Sequence, residues 1–274
     1  MAEDGYRTTD TLRIYWRLIG AQARSQASYR ISFVLDLVSN VLFLGADLAA
    51  ILVIFNQVPA LAGFSLSETM VIFGLGATAF VLADLMVGNI ERIKQYVRTG
   101  LLDAILVRPL GTLGQLLAMD VGYRRLGRLI YSLAILVAAT HYADVQWTPA
   151  RLLLALITPV AGAVFFAAYF VATATVAFWW VESGDLANAL TYGGRDFVSY
   201  PINVFDGWFR RVVAFGLGFG FVSYYPALGL LGRPDPLGGP GWLAWCGPLV
   251  SAVAAAAAAL IWRTAVRHYR STGS

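Results

Sequence analysis

Six apolar stretches, each near the length of a bilayer crossing, recur along this chain. A membrane-spanning helix needs about 20 consecutive apolar residues. The stretches are Ile31–Phe55, Met70–Gly88, Gly127–Tyr142, Leu152–Trp179, Val212–Leu230 and Trp242–Ile261. They predict an all-α membrane protein with six spans in a single domain, residues 1–274. Residues 1–30 precede the spans, residues 31–262 hold them, and residues 263–274 form a tail.

Basic residues fall mainly on one side of this predicted topology. If the N-terminus is cytoplasmic, the outer loops carry only Arg151 and Arg233 of the 20 lysines and arginines. The others lie before the first span, between the second and third, before the fifth, and in the tail. Cytoplasmic loops show this bias. We therefore expect a multi-pass protein of the bacterial inner (plasma) membrane with both termini in the cytoplasm.

The composition fits a membrane protein and argues against a nucleic-acid partner. The chain is 58% hydrophobic, with a mean hydropathy of +0.66 and a net charge of +4. Its basic residues flank apolar spans and form no single solvated patch. Such flanking charges hold topology and meet anionic lipid head groups. Membrane lipid, and no nucleic acid, is therefore the expected partner of these charges.

The segment before the first span has a helical pattern of its own. Apolar and aromatic residues recur at helical spacing from Leu12 to Ala23, and arginines occupy another face. This pattern predicts an amphipathic helix in the cytoplasmic interface of the membrane. The alternative is a poorly ordered arm.

The motifs of common catalytic sites are missing from the sequence. A phosphate-binding P-loop ends in Gly-Lys-Ser/Thr, but the single lysine, Lys94, follows Ile93. The two histidines, His141 and His268, have no histidine or cysteine neighbour at metal-ligand spacing. We expect a non-catalytic chain that binds no cofactor and no metal. A membrane hydrolase with acids converging from several helices stays open.

Polar residues inside the predicted spans form a candidate translocation path. Asp36, Asn40 and Asp47 share one face of the first span, because 11 residues make close to three helical turns. Acids in hydrocarbon are costly and often functional, and an ion-coupled secondary transporter would use them as a relay. The alternative is that Asp36, Glu91 and Asp120 lie near the cytoplasmic boundary and pair with arginines or water.

The cytoplasmic stretch between the second and third spans, Glu91 to Leu110, is the most distinctive. A charged helix is expected to end near Gly100, and a short apolar helix follows it until Pro109 stops it. Leu101, Leu102, Ile105 and Leu106 give this second helix an apolar face. That face would either dock on a partner or lie against the membrane surface.

This stretch resembles the coupling segment of ABC-2-type ABC exporter permeases. In that family Glu, Gly-x-Leu-Asp-x-Leu-Leu and Arg-Pro-Leu recur between the second and third spans. The matching residues are Glu91, Gly100, Leu102, Asp103, Leu106, Arg108, Pro109 and Leu110. Further similar segments are Leu186–Arg195, Tyr200–Pro201, Tyr225–Gly232 and His268–Ser274.

The resemblance implies an ABC exporter permease that pairs with a second permease, of the same or a paralogous chain. Separate ATPase subunits would bind ATP and Mg, and the cargo would be an amphiphilic small molecule, drug or lipid. It also implies an interfacial helix over Thr9–Tyr29 and a re-entrant hairpin over Tyr224–Trp242, before the last span. The implied ATPase-coupling residues are Glu91, Gly100, Leu101, Leu102, Asp103, Ile105, Leu106, Arg108 and Pro109.

Gly216 and Gly220 predict a contact between the two permeases. Small residues at this spacing on one helix let two backbones approach closely, and the resemblance places the fifth span at the dimer interface. The alternative is packing within the same subunit. Other functional classes that stay open are an ion-coupled carrier, a membrane enzyme and a non-transporting scaffold. The importer class of ABC permeases carries a Glu-Ala-Ala…Gly loop, which Glu182-Ser-Gly-Asp does not match.

Overall fold

The computed structural model describes residues 30–108, 111–118, 125–179 and 184–269. The predicted interfacial helix over Thr9–Tyr29 lies outside these residues, as do Pro109 and Asp120. Within them the secondary structure is helical, without strands. The α-helices are α1 Arg30–Gln57, α2 Leu66–Val87, α3 Ile93–Arg98, α4 Leu101–Leu106, α5 Thr112–Ala118, α6 Leu126–Tyr142, α7 Pro149–Ala174, α8 Gly184–Ser199, α9 Gly207–Arg211, α10 Tyr224–Leu231 and α11 Gly247–His268.

Capping residues explain where the long helices begin. At the start of α2, Ser65 and Glu68 form a reciprocal capping box, in which each side chain accepts from the other residue's backbone N–H. At the start of α7, the Thr148 hydroxyl accepts from the Arg151 N–H, and Pro149 occupies the first turn. These polar caps place both helix starts just outside the apolar runs.

Three helical runs among the described residues are long and apolar enough to cross a membrane. They are Leu66–Arg98, Pro149–Phe178 and Gly247–His268. A bent pair, Gly207–Gly216 with Phe219–Leu231, would make a fourth if it is one span. The three runs confirm the second, fourth and sixth predicted spans as long apolar helices. The sixth begins at Gly247, because Gly241–Trp245 forms a separate 3₁₀ turn.

The described helices run between two ends of the bundle. One end, the loop face, is made by residues 58–65, 143–148 and 232–241. Its parts touch where Arg233 Nη2 donates to the Gly63 carbonyl at 3.1 Å and Arg151 lies against Gly232. The opposite end, the coupling face, is made by residues 88–108, 175–178 and 266–269. There the rings of Phe178 and Tyr269 meet at 5.6 Å.

Helix α8 connects the two faces, although hydropathy did not mark it as a span. The Thr191 hydroxyl lies 3.0 Å from that of Thr173, in the half of α7 nearer the coupling face. Farther along, Val198 packs against Gly76, and Asn203 Nδ2 donates to the Ala62 carbonyl at 2.8 Å on the loop face. The chain therefore travels the depth of the bundle between residues 191 and 203.

The predicted fifth span, Val212–Leu230, is not a continuous helix. Its two arms meet at 62° around Gly218, whose φ of +85° is a conformation that side chains rarely adopt. A Cβ at Gly218 would also lie 2.8 Å from Val250 Cγ1. Asn203 before the bend and Arg233 after it both bond to the loop at residues 62–63. The segment therefore returns to the face from which it started.

An aromatic cluster holds the bend inside the bundle. The Phe219 ring lies 5.2 Å from Phe165, 5.3 Å from Tyr169 and 5.8 Å from Phe197, measured between centroids. Edge-to-face geometry at these distances is favourable for aromatic rings. The bend is thus packed against both α7 and α8.

Small residues let the central helix α2 approach its neighbours closely. A Cβ at Gly74 would lie 2.9 Å from Leu136 Cα on α6, and one at Gly76 would lie 2.7 Å from the Val198 carbonyl on α8. Close backbone contact of this kind supplies van der Waals packing between helices in a membrane. The tightest glycine contacts of α2 thus lie within this subunit.

We expect Gly76→Ala to destabilise the protein, because the added Cβ meets backbone that cannot move aside. The cost of such overpacking is about 1–3 kcal/mol. Gly193→Ala on α8 is the matched control, since nothing lies within 4 Å of its Cβ position. Thermal unfolding of both variants in detergent measures the effect. Equal midpoints for the two variants would contradict the close α2–α8 contact.

Candidate functional site

The stretch from Glu91 to Arg108 folds as two short helices with a sharp turn between them. Helix α3 ends at Arg98, and Gly100 then adopts φ +68°, a left-handed conformation that favours glycine. The Thr99 hydroxyl caps the end of α3 by donating to the Gln95 carbonyl at 2.9 Å. This confirms the expected break near Gly100 and the second helix after it. Pro109 lies outside the described residues.

Helix α4 turns one face into the core, which corrects the predicted docking face. Leu102 and Ile105 are fully buried in the same cluster as Val97, Leu116 and Trp262. Neither of these two side chains is accessible to a partner in this structure. The pattern of apolar residues could not separate the buried face from a docking face, because both faces of α4 carry leucines.

The opposite face of α4 is exposed. Leu101, Ala104, Val107 and Arg108 share it at helical spacing, and Val107 is 84% exposed. Leu106 is half-buried and lies between the two faces. An exposed apolar patch next to charged residues suits contact with a protein partner or with the membrane surface.

Asp103 contacts the end of the last helix. The Tyr269 phenol, just after α11, lies beside the Asp103 carboxylate, and burial together with that charge raises the pKa of Tyr269. The Tyr269 ring packs on Phe178, which also meets Trp262 at 5.5 Å. Asp103 thus joins the coupling segment to α11 and to the end of α7.

A buried carboxylate, Asp84, anchors the base of this segment. It is almost completely buried near the end of α2. Arg125 Nη1 lies 2.7 Å from its Oδ1, and Arg128 Nη2 lies 2.7 Å from its Oδ2. Arg125 also donates to the Asp84 backbone carbonyl. The side chain of Arg125 occupies the space where a Cβ of Gly88 would be.

Glu91 lies beside this cluster and reaches α8. It is half-buried and lies beside the Tyr192 side chain, with Asp84, Arg125 and Arg128 as its charged neighbours. Asp84 and Glu91 therefore lie together, with Gly88 between them in the chain. The cluster connects α2, α6 and α8 where the coupling segment begins.

Asp47, from the candidate translocation path, forms an ion pair. Its partner is Arg195 on α8, which is buried and also lies over the Phe80 ring at 5.6 Å. The side chains of Asp36 and Asn40 lie outside the described set. Asp47 therefore connects α1 to α8 at the depth of the apolar helices.

Gly216 and Gly220 lie on different segments. Gly216 ends the π-helical turn Val212–Gly216, and Gly220 follows the bend at Gly218. They therefore do not form the single helical Gly-x-x-x-Gly face from which the dimer contact was predicted. A Cβ at Gly220 would meet Ala214 and Tyr225 of the same chain at 3.2–3.3 Å. A role for this region in pairing between two permeases stays a prediction, and the spacing of Gly216 and Gly220 no longer supports it.

Sequence reasoning missed several residues of the site. Arg125 and Arg128 were counted only as topology charges, and Arg195 only as part of a similar segment. A signal for α8 was present, because Thr191, Arg195 and Ser199 recur every fourth residue and are all buried. The spacing of these polar residues marks an inward face on a helix of low hydropathy.

The comparison with known families fits this arrangement. A family model described as ABC-2 family transporter protein matches residues 41–273. The chain belongs to this family. ABC-2 permeases are typically non-catalytic membrane subunits that work with ABC ATPase subunits. No curated protein and no solved structure matches the chain.

We expect Asp84→Asn to destabilise this ABC-2 family member, since it leaves Arg125 and Arg128 without their carboxylate. Breaking a buried ion pair costs about 3–5 kcal/mol. We expect the lower value, about 3 kcal/mol, because both arginines are partly exposed to solvent. For a chain of this size the midpoint of thermal unfolding would fall by about 6–12 °C. Differential scanning fluorimetry in detergent measures it.

Asp144→Asn is the control for this prediction. Asp144 is exposed in the loop face, and its φ of +53° is one that asparagine also adopts. An unchanged midpoint for Asp84→Asn, equal to that of the control, would show that the cluster does not stabilise the bundle.

Proposed function

We propose that this chain is the permease subunit of an ATP-driven exporter in a bacterial inner membrane. It would form the translocation path with a second permease and carry an amphiphilic small molecule, drug or lipid. Separate ATPase subunits would bind ATP and Mg. The family match over residues 41–273 supports the transporter role, and the exposed face of α4 is the observation that carries the coupling mechanism.

The coupling segment suits the transmission of force. Its outward face, with Leu101, Ala104 and Val107, is free to meet an ATPase, while its inward face is packed into the core. Asp103 joins it to α11 through Tyr269, and Glu91 joins it to α8 through Tyr192. A displacement at this face would therefore reach several helices at once.

We propose six crossings, with α8 as the fifth in place of Val212–Leu230. The segment 207–231 would then be re-entrant from the loop face, earlier in the chain than the hairpin expected at Tyr224–Trp242. Arg210 and Arg211 move to the loop side in this topology. Basic residues still favour a cytoplasmic coupling face, with four before α1 and Arg30 at its start, six between α2 and α6, and three from Arg263 to Arg270.

Labelling of single cysteines distinguishes the two topologies. In a Cys246→Ser background, Asp206→Cys and Asp144→Cys should both react with an impermeant thiol reagent from outside intact cells, because both side chains are exposed on the loop face. If Val212–Leu230 were the fifth span, Asp206 would be cytoplasmic. Thr99→Cys is the inside control and should react only after the cells are opened, because Thr99 is exposed on the coupling face. Protection of Asp206→Cys in intact cells would refute the α8 crossing.

The exposed face of α8 is proposed to contact the second permease and to line the translocation path. Ala189, Tyr192 and Asp196 lie on it at helical spacing. A carboxylate facing hydrocarbon is expensive, so a second subunit or the water-filled path must cover Asp196. An ion-coupled carrier is a weaker alternative, because Asp47 is paired with Arg195.

The double variant Leu101→Asp with Val107→Asp tests coupling. We expect it to weaken ATPase docking about 10–100-fold, the effect of losing one or two apolar contacts of about 1.5–3 kcal/mol. Copurification with the ATPase and transport should both fall. Disulfide crosslinking between permeases through Ala189→Cys should persist, since neither substituted residue lies on α8.

Val58→Asp is the control for this experiment. Val58 is 38% exposed, close to the 39% of Leu101, but it lies on the loop face. Normal ATPase binding and transport by the double variant would remove α4 as the coupling element. Absence of the Ala189 crosslink in the otherwise unchanged protein would count against pairing through α8.

A further inference from the structure

A long apolar groove runs along the outside of the bundle between α6 and α7. Its volume is about 660 Å³, within the roughly 300–1,000 Å³ of typical ligand sites. Leu129 lines one end and His141 the other, a rise of about 18 Å along α6 at ~1.5 Å per residue. The lining between these ends is almost entirely apolar.

A proline of α7 lies in the wall of the groove. Pro159 lies inside the helix and lines the groove together with Ala155, one turn earlier. Proline has no N–H for the Ala155 carbonyl, and its ring crowds that carbonyl and bends a helix. Pro159 therefore removes one helical hydrogen bond from the backbone that borders the groove.

A positive charge lies at the loop-face mouth of the groove. Arg151 Nη1 donates to the Gln146 carbonyl at 2.8 Å, and its Nη2 lies against Gly232. Trp147, which follows Gln146 in the chain, and Leu230, two residues before Gly232, both line the groove. No acidic side chain of the described residues forms an ion pair with Arg151.

We propose that the groove binds one acyl chain of a membrane phospholipid, with the lipid phosphate at Arg151. One leaflet supplies an apolar depth of about 15 Å, half of the ~30 Å hydrocarbon core, which a groove of this length accommodates. Trp147 at the mouth is the residue type found at head-group depth. The guanidinium matches the charge and geometry of a phosphate. This site does not depend on the ATPase or on the direction of transport.

Photocrosslinking in vesicles tests the site. The probe is phosphatidylglycerol with a diazirine in one acyl chain, and its twin is a diacylglycerol with the same labelled chain and no phosphate. Adducts of the phospholipid should be several-fold more frequent at Leu133 and Val160 in the groove than at Leu260 on α11. Arg151→Gln should lower the groove adducts about fivefold, the effect of one cation on an anionic lipid.

Matched tryptophan variants provide the control. Val137→Trp with Leu156→Trp fills the groove, at residues that are 67% and 63% exposed. Leu249→Trp with Val253→Trp on α11 adds the same bulk at residues that are also 67% and 63% exposed. Only the first pair should abolish the excess of groove adducts, and both should leave protein yield unchanged.

The remaining outcomes would overturn the proposal. Equal labelling of the groove and of α11 would mean ordinary bilayer contact, and equal labelling by diacylglycerol would remove the phosphate site. Loss of permease pairing in the groove-filling variant alone would mean that a second copy covers this surface. Transport and ATPase binding are not read in this experiment, so its failure is distinct from failure of the exporter proposal.

Discussion

The ion pairs of Asp84 connect the parts of this molecule that must act together. A bilayer interior offers no water to a charge, so a buried carboxylate must find its partners within the protein. Asp84 receives Arg125 and Arg128 from α6, on opposite oxygens. Arg125 can cross α2 only because residue 88 is glycine. The end of α2, the start of α6 and the coupling segment are held in one arrangement as a result.

The coupling segment is better understood as a two-sided element than as a loop. One side of α4 belongs to the hydrophobic core, and the other side faces outward. Gly100 sets the angle between α3 and α4, while Asp103 and Glu91 attach the pair to α11 and α8. A partner that pushes on the outward side would move a packed unit. A permease driven by a separate ATPase, as proposed, would require this rigidity.

Helix α8 shows how polar residues can be carried through an apolar bundle. Thr191 meets Thr173, Arg195 meets Asp47, and Ser199 donates to the backbone carbonyl of Arg195. Each buried polar group thus has a partner, which lowers the cost of burying it. The bent segment 207–231 then fills the loop-face half of the bundle, with Phe219 at its aromatic centre.

The membrane class, the long apolar helices α2, α7 and α11, the break at Gly100 and the transporter family could all be predicted from the amino-acid sequence. The length of an apolar run and the backbone preferences of glycine and proline are local properties of the chain. Their effects can therefore be predicted from the sequence alone. Three features depend on how the helices pack: Leu102 and Ile105 face inward, Asp47 pairs with Arg195, and Gly216 and Gly220 lie on either side of a bend. Hydropathy placed the fifth span at Val212–Leu230, since it measures apolar content and not the partners of buried charges. Pairing between residues as distant as Asp47 and Arg195 is a property of the packed bundle, because only packing brings the two charges together.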